Sequence, residues 1–192
     1  MVGAKRRQCF RIDEENAANK LAEGLYCYIF EAKKAAKNIA LICIGSDRAT
    51  GDSLRPIIGN MLSQRVKSAG VKVYGNLNCP VHAANIRNTI NEINENGEDS
   101  LIIAVDAALS KCPERVGILN MGIGPLNPGA FAEKELPAVG HIYITGVVNW
   151  AGRLNDIETL QSTRLGFVMK MADIMSCGIA EALNKWGSEY RL

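Results

Sequence analysis

Apolar and polar positions along the chain follow the pattern of an α/β protein. Short apolar runs alternate with longer segments in which apolar residues recur every three or four positions. Runs that are apolar at every position are typical of strands buried on both faces of a parallel sheet. The runs that we interpret as strands cover residues 39–45, 71–74, 101–105, 116–123 and 141–148.

The intervening segments predict helices. Their bounds are residues 13–38, 53–69, 82–94 and 155–186, with a possible break near Ser162 in the last one. The element order is therefore α-β-α-β-α-β-β-β-α, which predicts one three-layer α/β/α sandwich around a mostly parallel, mixed sheet. No helical segment separates the last two strands, so one of them is expected to run antiparallel. Residues 1–12 are expected to be a loose N-terminus, and residues 13–192 a single domain.

Composition narrows the classes of function. The chain has 192 residues, 47% of them hydrophobic, and a net charge of +2, which is too small to require nucleic acid as a partner. No apolar run has the roughly twenty residues of a membrane span, and no secretory signal follows the basic N-terminus. The six cysteines lack CxxC spacing. We expect a cytoplasmic protein with free thiols, no membrane partner and no directly bound nucleic acid.

Two aspartates follow two of the predicted strands. Asp52 lies in the polar loop after residues 39–45, and Asp106 comes directly after residues 101–105. The carboxyl ends of parallel strands share one edge of the sheet, where α/β proteins bind their ligands. Two carboxylates at such an edge can share a proton and act as base and acid on a water, or can bind a divalent metal. Either arrangement suits hydrolysis of a peptide or amide bond.

Structural roles compete with this interpretation. Asp52 can instead complement the dipole of the following helix, and Asp106 can cap a turn. Asp47 and Arg48 can pair with each other across the loop. A further candidate is a nucleophile formed by Cys79 and His82, but its spacing lacks an orienting third group.

A metal would need a third ligand. His141, at the start of the last predicted strand, is the candidate to join Asp52 and Asp106, because imidazole and carboxylate suit zinc or nickel. A histidine at the start of a strand is more often a surface residue, so no cofactor is assumed and a divalent metal is only an alternative.

Several motifs resemble those of the YyaC-type sporulation proteins. The motifs are CIGSDRATGDSLRP at 43–56, VYGNLNCPVH at 73–82, IAVDAAL at 103–109, ITGVVN at 144–149, LQSTRL at 160–165 and MKMA at 169–172. They occur in the order that the family has and extend from residue 39 to residue 175. This family is related to the germination protease of spore-forming bacteria and, more distantly, to the hydrogenase-maturation endopeptidases.

The resemblance implies a phosphorylase/hydrolase-like α/β fold and a pair of essential aspartates. One aspartate of the germination protease lies in a Thr-Pro-Asp-Ala-Leu-Gly-Pro motif, which is similar to residues 50–56, and the other lies in a Val-Asp-Ala-Leu motif, which is similar to residues 105–108. These motifs correspond to Asp52 and Asp106. The hydrogenase-maturation endopeptidases bind nickel through two acids and a histidine. The residues expected to support or bind substrate are Gly45, Ser46, Asp47, Arg48, Thr50, Arg55 and Asn78.

The expected function is therefore a sporulation-associated endopeptidase that acts inside the sporulating cell or spore. Its substrate would be a protein or peptide, with the small acid-soluble spore proteins as candidates, and a homo-oligomer is a further expectation of the resemblance. Arg55 departs from the motif, which usually has glycine there, and a cation at this position can pair with Asp52. That departure favours the alternative, a non-catalytic sporulation protein that uses the fold to bind a protein. Hydrolysis of a small amide or nucleoside-like ligand is a third possibility.

Overall fold

In the described part of the chain, six strands form a single mixed sheet. The computed structural model of the chain describes residues 7–32, 38–66, 69–96, 100–128, 136–152 and 155–190. Its strands are β1 (Arg7–Arg11), β2 (Asn38–Cys43), β3 (Lys72–Tyr74), β4 (Ser100–Ser110), β5 (Ile118–Ile123) and β6 (Ile142–Trp150). Its helices are α1 (Ala17–Ala32), α2 (Leu54–Arg65), α3 (Ile86–Asn96), α4 (Asp156–Gln161) and α5 (Leu165–Tyr190).

The sheet has the order β1-β5-β6-β4-β2-β3. Strands β3, β2, β4 and β6 are parallel, whereas β5 runs antiparallel to both β6 and β1. The expectation that one of the last two strands runs antiparallel is therefore confirmed. The parallel strands place their carboxyl ends along one edge, and the loop between β2 and α2 begins at that edge.

Helices cover both faces of the sheet unequally. One face packs against α1, α2 and α5, and its core includes Leu25, Leu41, Ile58, Ile144 and Met175. A smaller apolar cluster on the other face joins β2 and β4 to α3 and to an isolated bridge between Leu126 and Val139. The three-layer α/β/α sandwich predicted from the sequence is confirmed. Among the described residues, no helix has the combined length and hydrophobicity required to cross a bilayer.

Three local predictions require correction. Arg7–Arg11, expected to be loose, forms β1 on β5, while residues 1–6 lie outside the described part of the chain. The helix predicted from residue 82 begins at Ile86. Strand β4 does not end before Asp106 but continues to Ser110, because β6 pairs with it along that extension. Asp106 is therefore a side chain within a strand. The predicted break near Ser162 is confirmed, since it separates α4 from α5.

Candidate functional site

Two backbone hydrogen bonds and one from a side chain fix the loop that carries Asp52. At its start, the Gly45 N–H donates to the carbonyl oxygen of Val81 at 2.7 Å. In its middle, the Gly51 N–H donates to the carbonyl oxygen of Leu160 in α4 at 2.8 Å. At its end, the Ser53 hydroxyl donates to the Thr50 carbonyl oxygen at 2.6 Å. The loop is thus hydrogen-bonded to the segment after β3 and to α4, and Asp52 directly follows the contact with α4.

The side chain of Arg55 joins the two candidate aspartates. Its Nη2 lies 2.6 Å from Oδ1 of Asp52, and its Nη1 donates a hydrogen bond to Oδ1 of Asp106. The Nε–H also donates to the backbone carbonyl oxygen of Asp52, at 3.4 Å. A planar guanidinium suits such a fork because its donors point in fixed directions. One cation therefore brings together two carboxylates from different elements of the fold.

Gly45 makes room for that cation. A Cβ atom at this position would lie 2.2 Å from Nε of Arg55 and 2.8 Å from the carbonyl oxygen of Asp52. Any other residue at position 45, just after β2, would therefore collide with the guanidinium. Sequence analysis placed Gly45 at the site only as a supporting residue, and the structure gives the physical reason for its presence.

Burial separates the two aspartates. The Asp106 side chain is 10% exposed and the Arg55 side chain is 9% exposed, whereas the Asp52 side chain is 27% exposed. Burial raises the pKa of Asp106 above its ordinary value, against the opposing attraction of the Arg55 guanidinium and a hydrogen bond from the Ala107 N–H. Asp52 is the carboxylate that solvent and a ligand can reach, and Asp106 anchors the buried end of the cluster.

A polar row continues from Asp106 across the sheet. Asp106 is directly opposite Thr145 on β6, which is opposite Asn120 on β5, so the three side chains share one face. Asn120 is buried, and its Oδ1 accepts a hydrogen bond of 2.8 Å from Nη2 of Arg7. The sequence analysis did not select these residues. The available signal was Asn120 itself, the single hydrogen-bonding side chain in the otherwise apolar β5.

The remaining predicted residues lie around the loop without bonding to the aspartates. Asp47 and Arg48 are exposed, and in the described part of the chain they form no ion pair with each other. Ser46 is partly buried beside them, and Thr50 reaches the carbonyl oxygen of Gln161 at 3.5 Å. Asn78 is exposed after β3 and bonds through its backbone N–H to Asn76. Their proposed roles in binding substrate stay predictions.

His141 does not join the aspartates. Its Nδ1 accepts a hydrogen bond of 3.0 Å from the Ile102 N–H, just before β6 begins. Thr145, the residue opposite Asp106, lies four positions further along that strand, a distance of about 13 Å in extended chain. The structure therefore does not bring His141 together with Asp52 and Asp106, and Arg55 stands between the two acids. No group of three or more potential ligands from His, Cys, Asp and Glu occurs among the described residues.

The Cys79 and His82 candidate receives no geometric support. Nδ1 of His82 accepts a hydrogen bond from the Ala84 N–H at 3.3 Å, and the Cys79 N–H donates to the Asn76 side chain. In the residues that the structure covers, the Cys79 thiol and the His82 ring form no hydrogen bond with each other.

Comparison with known proteins gives both a fold relative and a sequence family. The chain is similar to a [NiFe] hydrogenase maturation protease, HycI from Thermococcus kodakarensis KOD1, with a TM-score of 0.55 and 16% identity over 84% of this chain and 99% of that protein. At this identity the likeness concerns the fold alone. The chain is also 44% identical over 148 residues to "Uncharacterized protein YyaC" of Bacillus subtilis (strain 168), and the match covers 77% of this chain and 71% of that protein.

The family evidence covers most of the chain. The family described as "Protein of unknown function (DUF1256)" matches residues 9–178. This region includes both candidate aspartates and every strand except the start of β1. The motifs that resembled YyaC-type proteins thus lie within the matched region. The chain belongs to the DUF1256 family.

Proposed function

We propose that this protein is an endopeptidase of sporulating cells, similar in type to the germination protease. The observation that supports the proposal most directly is the bridge from Arg55 to both Asp52 and Asp106. These aspartates match the two aspartate motifs of the germination protease. The fold shared with a hydrogenase maturation protease is consistent with peptide hydrolysis, although that likeness alone assigns no activity.

Because the two aspartates differ in exposure, the proposed mechanism gives them different roles. Asp52, the more exposed carboxylate, accepts a proton from a water molecule as that water attacks the peptide carbonyl carbon. The same residue then returns the proton to the leaving nitrogen. Asp106, which is buried against Arg55, positions the guanidinium and through it Asp52. Asp106 is therefore a positioning residue in this mechanism, in which the two acids do not share a proton.

The substrate is proposed to be a protein or peptide of the spore interior, with small acid-soluble spore proteins as the first candidates. A homo-oligomeric state and a cytoplasmic location in the sporulating cell are parts of the same proposal. The oligomeric state follows from the resemblance to the germination protease, and the location follows from the cysteine usage. The arrangement of Asp52 and Asp106 neither requires nor opposes them.

A second function is favoured by one specific observation. Arg55 fills the gap between the two carboxylates, and its own side chain is only 9% exposed. A site blocked in this way suits a non-catalytic protein that binds a sporulation partner through an outer surface. In that case neither aspartate would contact a scissile bond, and the charge cluster would serve only to hold β4 and α2 together.

Single replacements of the two aspartates distinguish the two functions. We expect Asp52→Asn and Asp106→Asn each to reduce cleavage of a small acid-soluble spore protein, or of a quenched-fluorescent peptide library, by about 10²–10⁴-fold. Asp173→Asn is the matched control, because Asp173 is an exposed aspartate on α5 away from the site. Circular dichroism would establish that each variant folds. Full cleavage by either site variant contradicts the endopeptidase.

The binding alternative predicts a different pattern. A wild-type protein that cleaves none of these substrates, and that captures the same partner from sporulating cells as both Asp→Asn variants do, would support a binding module. Capture that depends on Asp52 but not on Asp173 would instead point to a ligand in the aspartate site.

A further inference from the structure

We propose that Arg55 is the electrophilic catalytic residue of the site: its guanidinium binds the carbonyl oxygen of the scissile peptide bond and stabilises the oxyanion that forms there. This inference rests on the endopeptidase function proposed above and assigns a role that the two-aspartate interpretation does not contain. It also identifies the ligand group that the cluster takes, which is a polarised amide carbonyl.

The first support is the number of donors that Arg55 retains. A guanidinium has five N–H groups. One from Nε is directed at the Asp52 carbonyl oxygen, one from Nη1 at Asp106, and one from Nη2 at the Asp52 carboxylate. The two that remain have no acceptor among the described residues. One of them is on each terminal nitrogen, and N–H donors of a fixed cation can stabilise an oxyanion.

The second support is the charge of the cluster. The guanidinium contacts both carboxylates and lies between them, so the two acids are not arranged to share a proton in the manner of an aspartic protease dyad. Hydrolysis at such a site needs another group to accept the negative charge that develops on the carbonyl oxygen. Arg55 is the cation in contact with both acids, and it takes the place that a divalent ion occupies in a metal-dependent hydrolase.

The third support is how firmly the cation is held. Asp106 binds it from within the sheet, Asp52 binds it from the loop, and Gly45 leaves the space through which it passes. Donors that are fixed before the reaction stabilise developing charge without the cost of reorganisation. Lysine could supply the charge at this position but not the planar fork that contacts both carboxylates at once.

The proposed reaction balances with groups that the chain supplies, together with one water molecule. Asp52 takes a proton from the water as the hydroxide oxygen bonds to the carbonyl carbon. The carbonyl π electron pair moves to its oxygen, which Arg55 holds through its two remaining N–H groups. As the tetrahedral intermediate collapses, the C–N bond breaks and Asp52 returns the proton to the leaving nitrogen, giving a carboxylic acid and an amine.

Removal of the guanidinium provides the test. In Arg55→Ala we expect kcat to fall by about 10²–10³-fold, with a much smaller change in KM, because the lost interaction forms mainly in the transition state. Added guanidinium ion should restore part of the lost rate in a saturable manner, and it should not restore the rate of Asp52→Asn. Arg65→Ala, which removes the other arginine of α2, is the matched control and should keep both kinetic constants.

The conservative variant keeps the test valid if Arg55→Ala fails to fold. Arg55→Lys retains a cation beside the buried Asp106, and we expect it to fold and to lose kcat without recovering the rate in guanidinium, because the lysine side chain occupies the space. Urea denaturation of each variant, measured alongside the kinetics, separates lost catalysis from lost structure.

The outcomes separate failure of this inference from failure of the proposed function. If wild type cleaves a substrate and Arg55→Ala cleaves it equally well or faster, Arg55 is a barrier to catalysis and the inference is overturned, while the endopeptidase stands. The same conclusion holds if only Arg55→Ala is active. If neither protein cleaves any of the substrates, the proposed function fails and this role of Arg55 fails with it.

Discussion

The two ends of α2 carry arginines in opposite environments. Arg55, near the start of the helix, contacts two carboxylates, and its side chain is 9% exposed. Arg65, at the end, lies 3.8 Å from Asp173, and the two side chains are 39% and 63% exposed. Arg65 also donates to the hydroxyl of Ser176 at 2.9 Å. Residue type, helix and charge are the same at the two positions, while burial and the number of carboxylates differ.

This difference indicates which ion pair contributes to stability. An exposed pair such as Arg65 with Asp173 contributes little, because water and salt screen it and two long side chains must be ordered. Breaking a buried pair leaves a charge without its partner in a medium that solvates it poorly. The cluster around Arg55 is therefore the place where one substitution changes stability, pH dependence and the proposed chemistry together.

The largest expected effect is the loss of stability in Arg55→Ala. The variant leaves Asp106 buried without its cation, and we expect the free energy of unfolding to fall by about 3–5 kcal/mol. Arg65→Ala should lower it by about 0–1 kcal/mol. Urea denaturation of both variants at pH 7 measures the difference. Equal losses at the two ends would mean that the cluster is as well solvated as the surface.

A smaller effect is expected from Gly45→Ala. The added methyl group would lie 2.2 Å from Nε of Arg55, so the guanidinium must shift, and we expect a loss of about 1–3 kcal/mol. Gly166→Ala is the control, since an added Cβ there meets no atom within 4 Å. The free energy of unfolding of this control should be unchanged or higher by about 0.4–1 kcal/mol. The penalty at Gly45 should be smaller in an Arg55→Ala background, and an undiminished penalty would show that Arg55 is not what the methyl group displaces.

The smallest expected effect is a pH dependence of the Arg55→Ala penalty. Because the pKa of Asp106 is raised in the folded state, the folded protein binds its proton more readily than the unfolded chain, and stability decreases as pH rises through the folded pKa. Removing Arg55 raises that pKa further, and Asp52 adds repulsion in the same direction. Each further pKa unit corresponds to about 1.4 kcal/mol.

The penalty should therefore be larger at pH 7 than at an acidic pH below the ordinary pKa of an aspartate, where Asp106 is protonated in the folded protein with or without Arg55. Urea denaturation at the two pH values measures it, and Asp106→Asn combined with Arg55→Ala should remove the dependence. A penalty that is constant with pH would assign the instability to lost packing around Arg55 and not to the charge of Asp106.

The sequence by itself determined the main layers of the fold. Strands β2 and β4 were predictable because both of their faces are buried and their apolar runs are nearly unbroken. The split between α4 and α5 was predictable from its polar interruption at Ser162. The presence of Asp52 and Asp106 at one region of the sheet followed from strand direction, since parallel strands share an edge.

Only the tertiary structure decided the features that depend on distant partners. Strand β1 has a charged, half-exposed pattern with no strand signature, and it exists because β5 offers an unpaired edge. Strand β4 extends beyond Asp106 because β6 pairs with it there. His141 was only a candidate third ligand for a metal at the acids, and the register places it just before β6, four positions from Thr145, the residue opposite Asp106.

The bridge formed by Arg55 depends on both kinds of information. The local sequence allowed a contact with Asp52, which lies three positions before Arg55 in the loop that precedes α2. The contact with Asp106 requires that β2 and β4 be neighbours and that Gly45, just after β2, leave space for the Arg55 guanidinium. Residue types and strand order determined which groups reach this edge of the sheet. The arrangement of one cation between two acids arises from packing, because a buried charge is costly unless it is paired.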